Sequence, residues 1–166
     1  MGRSSVYNVQ QLSDAFQVWN FDLRLPSIPG GGDAVSLTYK CQTASLPGFN
    51  LESIDIELHG VKKKEAGRAT YEHTFQCTFL ETVDFSTRTA FRNWRETCRS
   101  WKLNTGSVSS AYKVNALLEL YDNAPSVTRS IVIYGVYPET VDTLSLENSS
   151  TAGFLSVTFS YDWTDE

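Results

Sequence analysis

Histidine and cysteine, the side chains most often used in metal sites and nucleophilic catalysis, are few in this sequence. The 166 residues include 2 histidines and 3 cysteines. His59 and His73 each lie where polar and apolar residues alternate, so we predict that both belong to β-strands and share a face with polar neighbours. A zinc site needs a tetrahedral set of ligands, and the spacing of these residues does not supply one. We therefore predict exposed or interface histidines and no metal site.

The remaining candidates for chemistry are also weak. Cys41 and Cys77 are at predicted strand positions and Cys98 is on the apolar side of a predicted helix, so we expect reduced, buried thiols. The glycines at 30–32 are not followed by the Lys-Ser or Lys-Thr of a phosphate-binding loop, and we predict a flexible loop. No pair of carboxylates is spaced as a general acid and base. The sequence thus predicts neither an enzyme nor a bound cofactor.

One group of residues does have the spacing of a binding surface. Four arginines recur at steps of four, three and four, which places them on one face of a helix: Arg88, Arg92, Arg95 and Arg99. Three interpretations are open, namely contact with a subunit or acidic partner protein, a solvated face whose aliphatic stems cover the core edge, and nucleic-acid binding. Because 14 Lys and Arg face 19 Asp and Glu, for a net charge of -5, nucleic acid is the least favoured.

The helix that carries these arginines interrupts a chain of strands. Phe91, Trp94, Cys98 and Trp101 recur at steps of three and four and predict a helix over 87–102, capped by Asp84 or Ser86. Elsewhere period-two alternation predicts about eight strands. They cover residues 16–25, 35–41, 54–59, 71–79, 112–120, 127–137, 141–146 and 154–163. We predict one domain over 1–166 with an N-terminal arm at 1–15, built as a mainly β barrel or sandwich with one helix.

Charge is unevenly distributed along the chain. Residues 60–68 read as a polar loop or flexible hairpin tip that is too rich in lysine for an idle turn, and we predict that its bases contact a partner. These bases are Lys62, Lys63, Lys64 and Arg68. After Arg129 there is no Lys or Arg, although acids continue to Glu166. An acidic C-terminal region and a basic helix suit packing between identical copies. No apolar run is long enough for a membrane span, and no signal core follows Met1.

Three segments, in order, resemble the tail tube proteins of contractile-tailed bacteriophages. Residues 39–48 resemble the family's early strand and Leu-Pro turn, and residues 84–101 resemble its single helix with a Phe-x-x-Trp core, here Phe91 and Trp94. Residues 133–163 resemble its final hairpin, with Tyr137 beside Pro138 where the family leads us to expect tryptophan. The resemblance covers about residues 16–163.

The resemblance implies a structural virion protein that is made in the host cytoplasm. Family members form stacked hexameric rings whose sheets join across subunits into a tube, and a hairpin corresponding to residues 60–68 reaches between rings. The implied partners are further copies, the tail sheath, the baseplate and tail terminator proteins, and the tape-measure protein. DNA passes through the lumen without specific binding.

Other functions remain open at this stage. The same fold serves as the inner tube of bacterial contractile injection systems and as a tube initiator in baseplates. A small ligand-binding β-barrel, from a different class, would also combine eight strands with one helix. It would be monomeric, whereas a tube protein forms rings, so electron microscopy of concentrated protein separates the two.

Overall fold

The computed structural model describes residues 10–166, which contain nine β-strands and three helices with bounds inside this range. The strands are β1 (Phe21–Arg24), β2 (Cys41–Ala44), β3 (Phe49–Leu58), β4 (Val61–Tyr71), β5 (Thr74–Leu80), β6 (Val114–Tyr121), β7 (Val127–Val141), β8 (Phe154–Ser160) and β9 (Trp163–Asp165). The helices are α1 (Ala34–Lys40), α2 (Ser86–Cys98) and α3 (Ser109–Tyr112). The predicted mainly β fold is confirmed, and α2 is the one substantial helix.

Strand β7 belongs to two antiparallel sheets. Its first part pairs with β6 on one side and β9 on the other, and its last residues pair with β8. The strand order is β1-β6-β7-β8-β5-β2, while β3 and β4 form a separate two-stranded sheet. Within residues 10–166, β1 and β2 lie at the two ends of this order and do not pair with each other. The fold is therefore an open sandwich and not a closed barrel.

Strand β7 turns from one sheet to the other at Gly135, where φ is +69°. A Cβ at this position would overlap the carboxylate of Asp162, so both conformation and space require glycine. The backbone N–H of Asp162 donates to Tyr134 O at 2.9 Å. Lys113 Nζ lies 2.7 Å from Asp162 Oδ1, and this hydrogen bond raises the pKa of Lys113. The carboxylate and the ammonium therefore hold the chain at the bend.

The interior of the sandwich is filled by aromatic side chains from both α2 and the sheets. Phe91 and Trp94 of α2 are fully buried. The ring centroid of Phe91 lies 5.1 Å from that of Phe79 and 5.8 Å from that of Phe159. Trp94 Nε1 donates to Tyr112 O at 2.7 Å, so the indole is buried without losing its hydrogen bond. These contacts confirm that the Phe-x-x-Trp pair belongs to the core.

Helix α2 is capped by a carboxylate from the end of β5. The backbone N–H of Thr87 donates to Glu81 Oε1 at 3.1 Å, and that of Arg88 donates to Oε2 at 2.8 Å. The N-cap residue is Phe85, so the prediction of Asp84 or Ser86 is wrong, although Asp84 accepts from the N–H of Ser86 at 3.3 Å. Negative charge at these positions also complements the helix dipole. The start of the helix is therefore neutralised and held to the sheet.

Helix α2 ends at Cys98, so the prediction that it extends to residue 102 is wrong. Arg99 has extended backbone dihedrals and forms an isolated antiparallel bridge with Gly106. Trp101, assigned from its spacing to the buried stripe, instead lies on the surface. The local backbone pairing of residues 99–106 replaces the helical turn that periodicity alone predicted.

The predicted strand over residues 35–41 is wrong for most of its length, because Ala34–Lys40 form helix α1. Asp33 is the N-cap, and its Oδ1 accepts from the N–H groups of Val35 at 3.1 Å and Ser36 at 3.2 Å. Only Leu37 of this helix is buried. An Asp cap can outweigh weak strand propensity over such a short segment.

Other strand limits differ more modestly. The strand predicted over 16–25 is confined to Phe21–Arg24, and residues 142–146 are not in a strand. Pro138 does not end β7 as predicted, because a register shift between Pro138 and Thr140 accommodates the missing N–H. Residues 1–9 of the predicted N-terminal arm lie outside the described residues, and residues 10–15 join no strand.

Candidate assembly surfaces

The two histidines are turn residues, and the prediction that they lie in strands is wrong. His59 has φ of 51° at the turn between β3 and β4, and His73 has φ of 58° between β4 and β5. His73 Nδ1 lies 3.2 Å from Tyr161 O. Among residues 10–166, no group of three or more His, Cys, Asp or Glu side chains is placed to hold a metal. In the same range, no helix is long and apolar enough to cross a membrane.

The three thiols are free, and two have a raised pKa. A hydrogen bond that the neutral Cys77 thiol donates to Cys41, and then burial, raise the pKa of Cys77 well above its usual value. Burial raises the pKa of Cys98. Only Cys77 is fully buried, whereas Cys41 and Cys98 are half-buried. Because the thiolate is the reactive form, the raised pKa values make Cys77 and Cys98 poor nucleophiles.

The glycine run is a packing feature. Gly30 and Gly31 have φ near +86° and +89°. A Cβ on Gly30 would come within 2.7 Å of Asn93 O on helix α2. The loop is therefore held close against α2, which corrects the prediction of a freely flexible loop.

The most exposed part of the fold is the β3–β4 hairpin. Its turn is His59-Gly60, where both residues have positive φ, as in the two-residue turns that match the twist of a hairpin. In the described chain β3 and β4 pair only with each other, and all their side chains are exposed or half-exposed. Of the two predicted forms of residues 60–68, the loop is wrong and the hairpin is correct, because Val61–Tyr71 is a strand that pairs with β3.

One face of this hairpin carries a row of apolar side chains on β3, which lies opposite Glu65, Lys63 and, next to the turn, Val61 of β4. Alternate residues share a face, so Ile54, Ile56 and Leu58 lie together, and Leu58 is opposite Val61. We call these four residues the apolar tip. Leu58 and Val61 are 66% and 69% exposed. A two-stranded hairpin with an uncovered apolar face is marginal by itself, so this surface is suited to binding another surface.

The predicted basic residues of the hairpin are all paired within it. Lys62 Nζ lies 2.7 Å from Asp55 Oδ2, and Lys64 Nζ lies 3.9 Å from Asp55 Oδ1. Lys63 pairs with Glu65. Arg68 Nη2 lies 3.1 Å from Glu52 Oε1 on the opposite strand. Four bases thus share three carboxylates, and the pairs of Lys62, Lys64 and Arg68 cross between β3 and β4.

The arginines of α2 differ from the hairpin bases, because none of them forms an ion pair within the described residues. Arg88, Arg92, Arg95 and Arg99 are all exposed. No carboxylate of residues 10–166 lies within 4.0 Å of any of the four guanidinium groups, although Glu96 is on the same helix. The structure brings the first three together on the solvent face of α2 and leaves Arg99 just beyond its end. The predicted stripe is thus a free cationic surface on a well-anchored helix.

The fold matches solved structures along nearly the whole chain. A chain of the sheath–tube complex of the extracellular contractile injection system PVC, in its extended state, has a TM-score of 0.64 at 11% identity, covering 98% of this chain and 97% of that chain. A chain of the anti-feeding prophage tube terminating cap has a TM-score of 0.64 at 18% identity, covering 93% and 91%. The PVC sheath/tube terminator gives 0.65 at 13% identity, covering 93% and 97%.

At these identities the structural matches establish the fold, and the sequence establishes the family. No curated protein sequence matches the chain significantly. The family model for phage tail tube proteins matches residues 3–164. This family consists of structural tube proteins and is not an enzyme class. The open sandwich, the single substantial helix and this match over almost the full length show that the chain belongs to the phage tail tube protein family.

Proposed function

We propose that the chain is the subunit of an inner tail tube, in which copies form hexameric rings and the rings stack. Family membership carries this proposal, and the open edges of the sandwich support it. Unpaired strand edges promote aggregation unless they are covered. Joining β1 and β2 to the sheets of neighbouring copies covers both edges and continues the sheet around a channel.

Negative-stain electron microscopy of the concentrated protein tests the proposal directly. Rings with six-fold symmetry, or tubes with the same symmetry, are expected. Small single particles at every concentration would contradict it and would favour a monomeric ligand-binding barrel. The aromatic side chains that fill the sandwich already argue against that second class, because they occupy the space of a ligand.

In the proposed tube, the β3–β4 hairpin contacts the adjacent ring. The support for this role is its projection from the sandwich and its uncovered apolar tip. Since Lys62, Lys63, Lys64 and Arg68 are paired internally, the contact depends on apolar burial and backbone pairing. Because the four bases are paired, they add little attraction to the adjacent ring.

The arginines of α2 provide a second contact, which depends on charge. Their partner is an acidic surface, either on a neighbouring copy or on the tail sheath. Glu139, Asp142, Glu147 and Asp165 are exposed, and none has a basic partner within 4.0 Å in the described chain. A neighbouring copy therefore carries unpaired carboxylates of the kind that these arginines bind.

The remaining partners follow from the same proposal. The tube lies in a virion or a related particle, inside a contractile sheath, between a baseplate and a terminator, and it conducts DNA and a tape-measure protein. An inner tube of a bacterial injection system and a baseplate tube initiator are alternatives within the same fold. Purifying the particle that contains this chain, and testing it for packaged DNA, separates a phage from an injection system.

A further inference from the structure

The segment between α2 and α3 presents two large apolar side chains on a short, fixed loop. Trp101 is 64% exposed and Leu103 is 75% exposed. The N–H of Ser100 donates to Thr105 O at 2.9 Å, and the N–H of Ser107 donates to Cys98 O at 3.2 Å. These bonds close a tight turn that carries both side chains. We call residues 99–108 the Trp101 loop.

The Trp101 loop is also positively charged. Lys102 lies between the two apolar residues, and Arg99 lies at the base of the loop, where its backbone forms the bridge to Gly106. The sequence has no acid between Glu96 and Glu119. A tryptophan on a fixed loop flanked by cations matches the composition of the anchors that dominate protein interfaces.

A groove of complementary character lies beside the turn between β6 and β7. It consists of two adjoining parts, of about 560 Å³ and about 250 Å³, that share Tyr121 and Asp122. Phe16 and Trp19 line its apolar walls. Asp14 and Asp122 contribute carboxylates, and no described lysine or arginine lines either part. An acid-lined aromatic groove suits a tryptophan flanked by cations.

The groove is held in shape by hydrogen bonds. The N–H of Tyr121 donates to Asn20 O at 3.0 Å, and Asn20 Nδ2 donates to Asp122 O at 3.3 Å. Asp122 Oδ1 accepts from the N–H groups of Ala124 at 2.8 Å and Ser126 at 3.0 Å. The Asp122 side of the groove is thus set before any partner binds, which lowers the cost of ordering that side on binding.

Strand β6 separates the Trp101 loop from the groove. The loop runs into α3, which leads to β6 at Val114, while the groove begins at the other end of β6, at Tyr121. Seven steps of about 3.3 Å put these strand ends roughly 23 Å apart. Two complementary patches near opposite ends of one strand allow a head-to-tail contact, the type that builds rings or stacks from identical copies.

We propose that the Trp101 loop of one copy docks into the Phe16–Trp19 groove of a second copy, with Trp101 in the aromatic part and Lys102 beside Asp14. This inference rests on the proposed tube function and assigns one of its subunit contacts. It does not involve the hairpin, and it shares only Arg99 with the arginine stripe.

Substitutions on the two patches test the contact through sedimentation velocity over a concentration series, with electron microscopy of the same samples. Trp101→Ala is expected to weaken self-association at least about tenfold, as for a buried anchor. Lys102→Asp and Asp14→Lys should each weaken it, and the two charge reversals combined should restore most of the loss. Leu146→Ala, at a side chain that is 85% exposed and outside both patches, is the matched control. Circular dichroism checks that each variant is folded.

The outcomes separate this contact from the function on which it rests. Wild-type rings or tubes that persist undiminished in Trp101→Ala overturn the docking proposal and leave the tube function standing. If Asp14→Lys weakens self-association while Trp101→Ala does not, and the double reversal gives no rescue, then another segment occupies the groove. That result also overturns the docking proposal. Wild-type protein that stays monomeric at every concentration counts against both.

Discussion

The β3–β4 hairpin and the α2 surface each carry four basic residues, but only those of the hairpin form ion pairs within the described chain. In the hairpin, Lys62, Lys63, Lys64 and Arg68 all have carboxylate partners on the same two strands. On α2 and just after it, no described carboxylate reaches Arg88, Arg92, Arg95 or Arg99. A count of bases therefore does not distinguish the two surfaces, whereas a count of bases without a carboxylate partner does.

The difference has an energetic consequence. Exposed ion pairs such as those of the hairpin contribute about 0–1 kcal/mol each, so they favour one register without offering charge to a partner. In the proposed tube the hairpin would bind through its apolar tip and backbone. The α2 arginines are held on a helix that Phe91 and Trp94 anchor in the core, so binding a partner would cost them little backbone entropy.

The largest effect is expected from reversing the arginine stripe. In Arg92→Glu with Arg95→Glu, ring assembly or sheath attachment should weaken by several kcal/mol per ring, because each charge-assisted contact contributes roughly 1.5–3 kcal/mol. Light scattering measures ring assembly and co-sedimentation measures sheath binding. A matched pair of neutral variants sharpens the comparison: Arg92→Gln with Arg95→Gln should weaken binding, and Lys63→Gln with Lys64→Gln should not. Equal effects in the two pairs would contradict the distinction between free and paired bases.

The apolar tip should give the next largest effect. Ile54→Ser with Leu58→Ser is expected to prevent rings from stacking, since burying one such side chain contributes about 1.5–3 kcal/mol. The free energy of unfolding of the free subunit should change by only about 0.5 kcal/mol, because both side chains are largely exposed there. Electron microscopy counts single rings against tubes. Val83→Ser, at a residue 98% exposed outside the hairpin, is the control, and tubes of unchanged length would remove the hairpin from the ring interface.

Hydrogen exchange should distinguish the hairpin from α2 without any substitution. Two-stranded hairpins are marginally stable alone, and fixing one residue costs about 1–2 kcal/mol. We expect the amides of residues 61–71 to exchange faster in the free subunit than in the assembled tube, while those at the centre of α2 exchange slowly in both. Equal exchange of the hairpin amides in the two states would argue that the hairpin is already fixed before assembly.

Salt concentration should affect the strength of the two contacts differently, and by less than the substitutions do. Raising salt from about 0.1 M to about 1 M shortens the screening length from about 10 Å to about 3 Å. Contacts made by the α2 arginines should weaken over this range, and contacts made by the apolar tip should hold or strengthen. A titration of wild type beside Arg92→Gln with Arg95→Gln measures the arginine share, because the variant should lose most of the salt dependence.

The comparison also shows what the sequence could predict. The arginine stripe and the buried Phe91 and Trp94 were visible from spacing alone, since helical periodicity extends over several turns of α2. Strand β4 was missed because Lys62, Lys63 and Lys64 have low strand propensity. Lys62 pairs with Asp55 on the neighbouring strand, and Lys63 pairs with Glu65 two residues further along β4. The cross-strand pair can be recognised only when the register of β3 and β4 is known.

The Trp101 loop illustrates a second limit. Trp101 continues the apolar spacing of α2, so periodicity assigned it to the core. The helix ends before Arg99 because the backbone of residues 99 and 100 pairs with the chain that follows. Arg99 forms a bridge with Gly106, and the N–H of Ser100 donates to Thr105 O. A useful signal was present in Asn104-Thr105-Gly106, since Asn104 adopts a φ of 52° that few other residues tolerate. Turn residues close to the end of an apolar stripe should therefore shorten a predicted helix.

The smallest effect is expected for the binding of DNA by assembled tubes. This binding tests whether α2 faces the channel or the outside of the tube. Seven described bases already have carboxylate partners, namely Arg24, Lys62, Lys63, Lys64, Arg68, Lys113 and Arg129. If the α2 arginines face outward, the channel wall is net negative and repels phosphates over about 8 Å at physiological salt. Assembled tubes should then retain no short duplex DNA at about 0.15 M salt, as a conduit requires, since several phosphate contacts would bind the polymer tightly. Retention that Arg92→Gln with Arg95→Gln abolishes would instead place the free arginines in the channel. It would reverse the proposed direction of α2 and leave the hairpin contact unaffected.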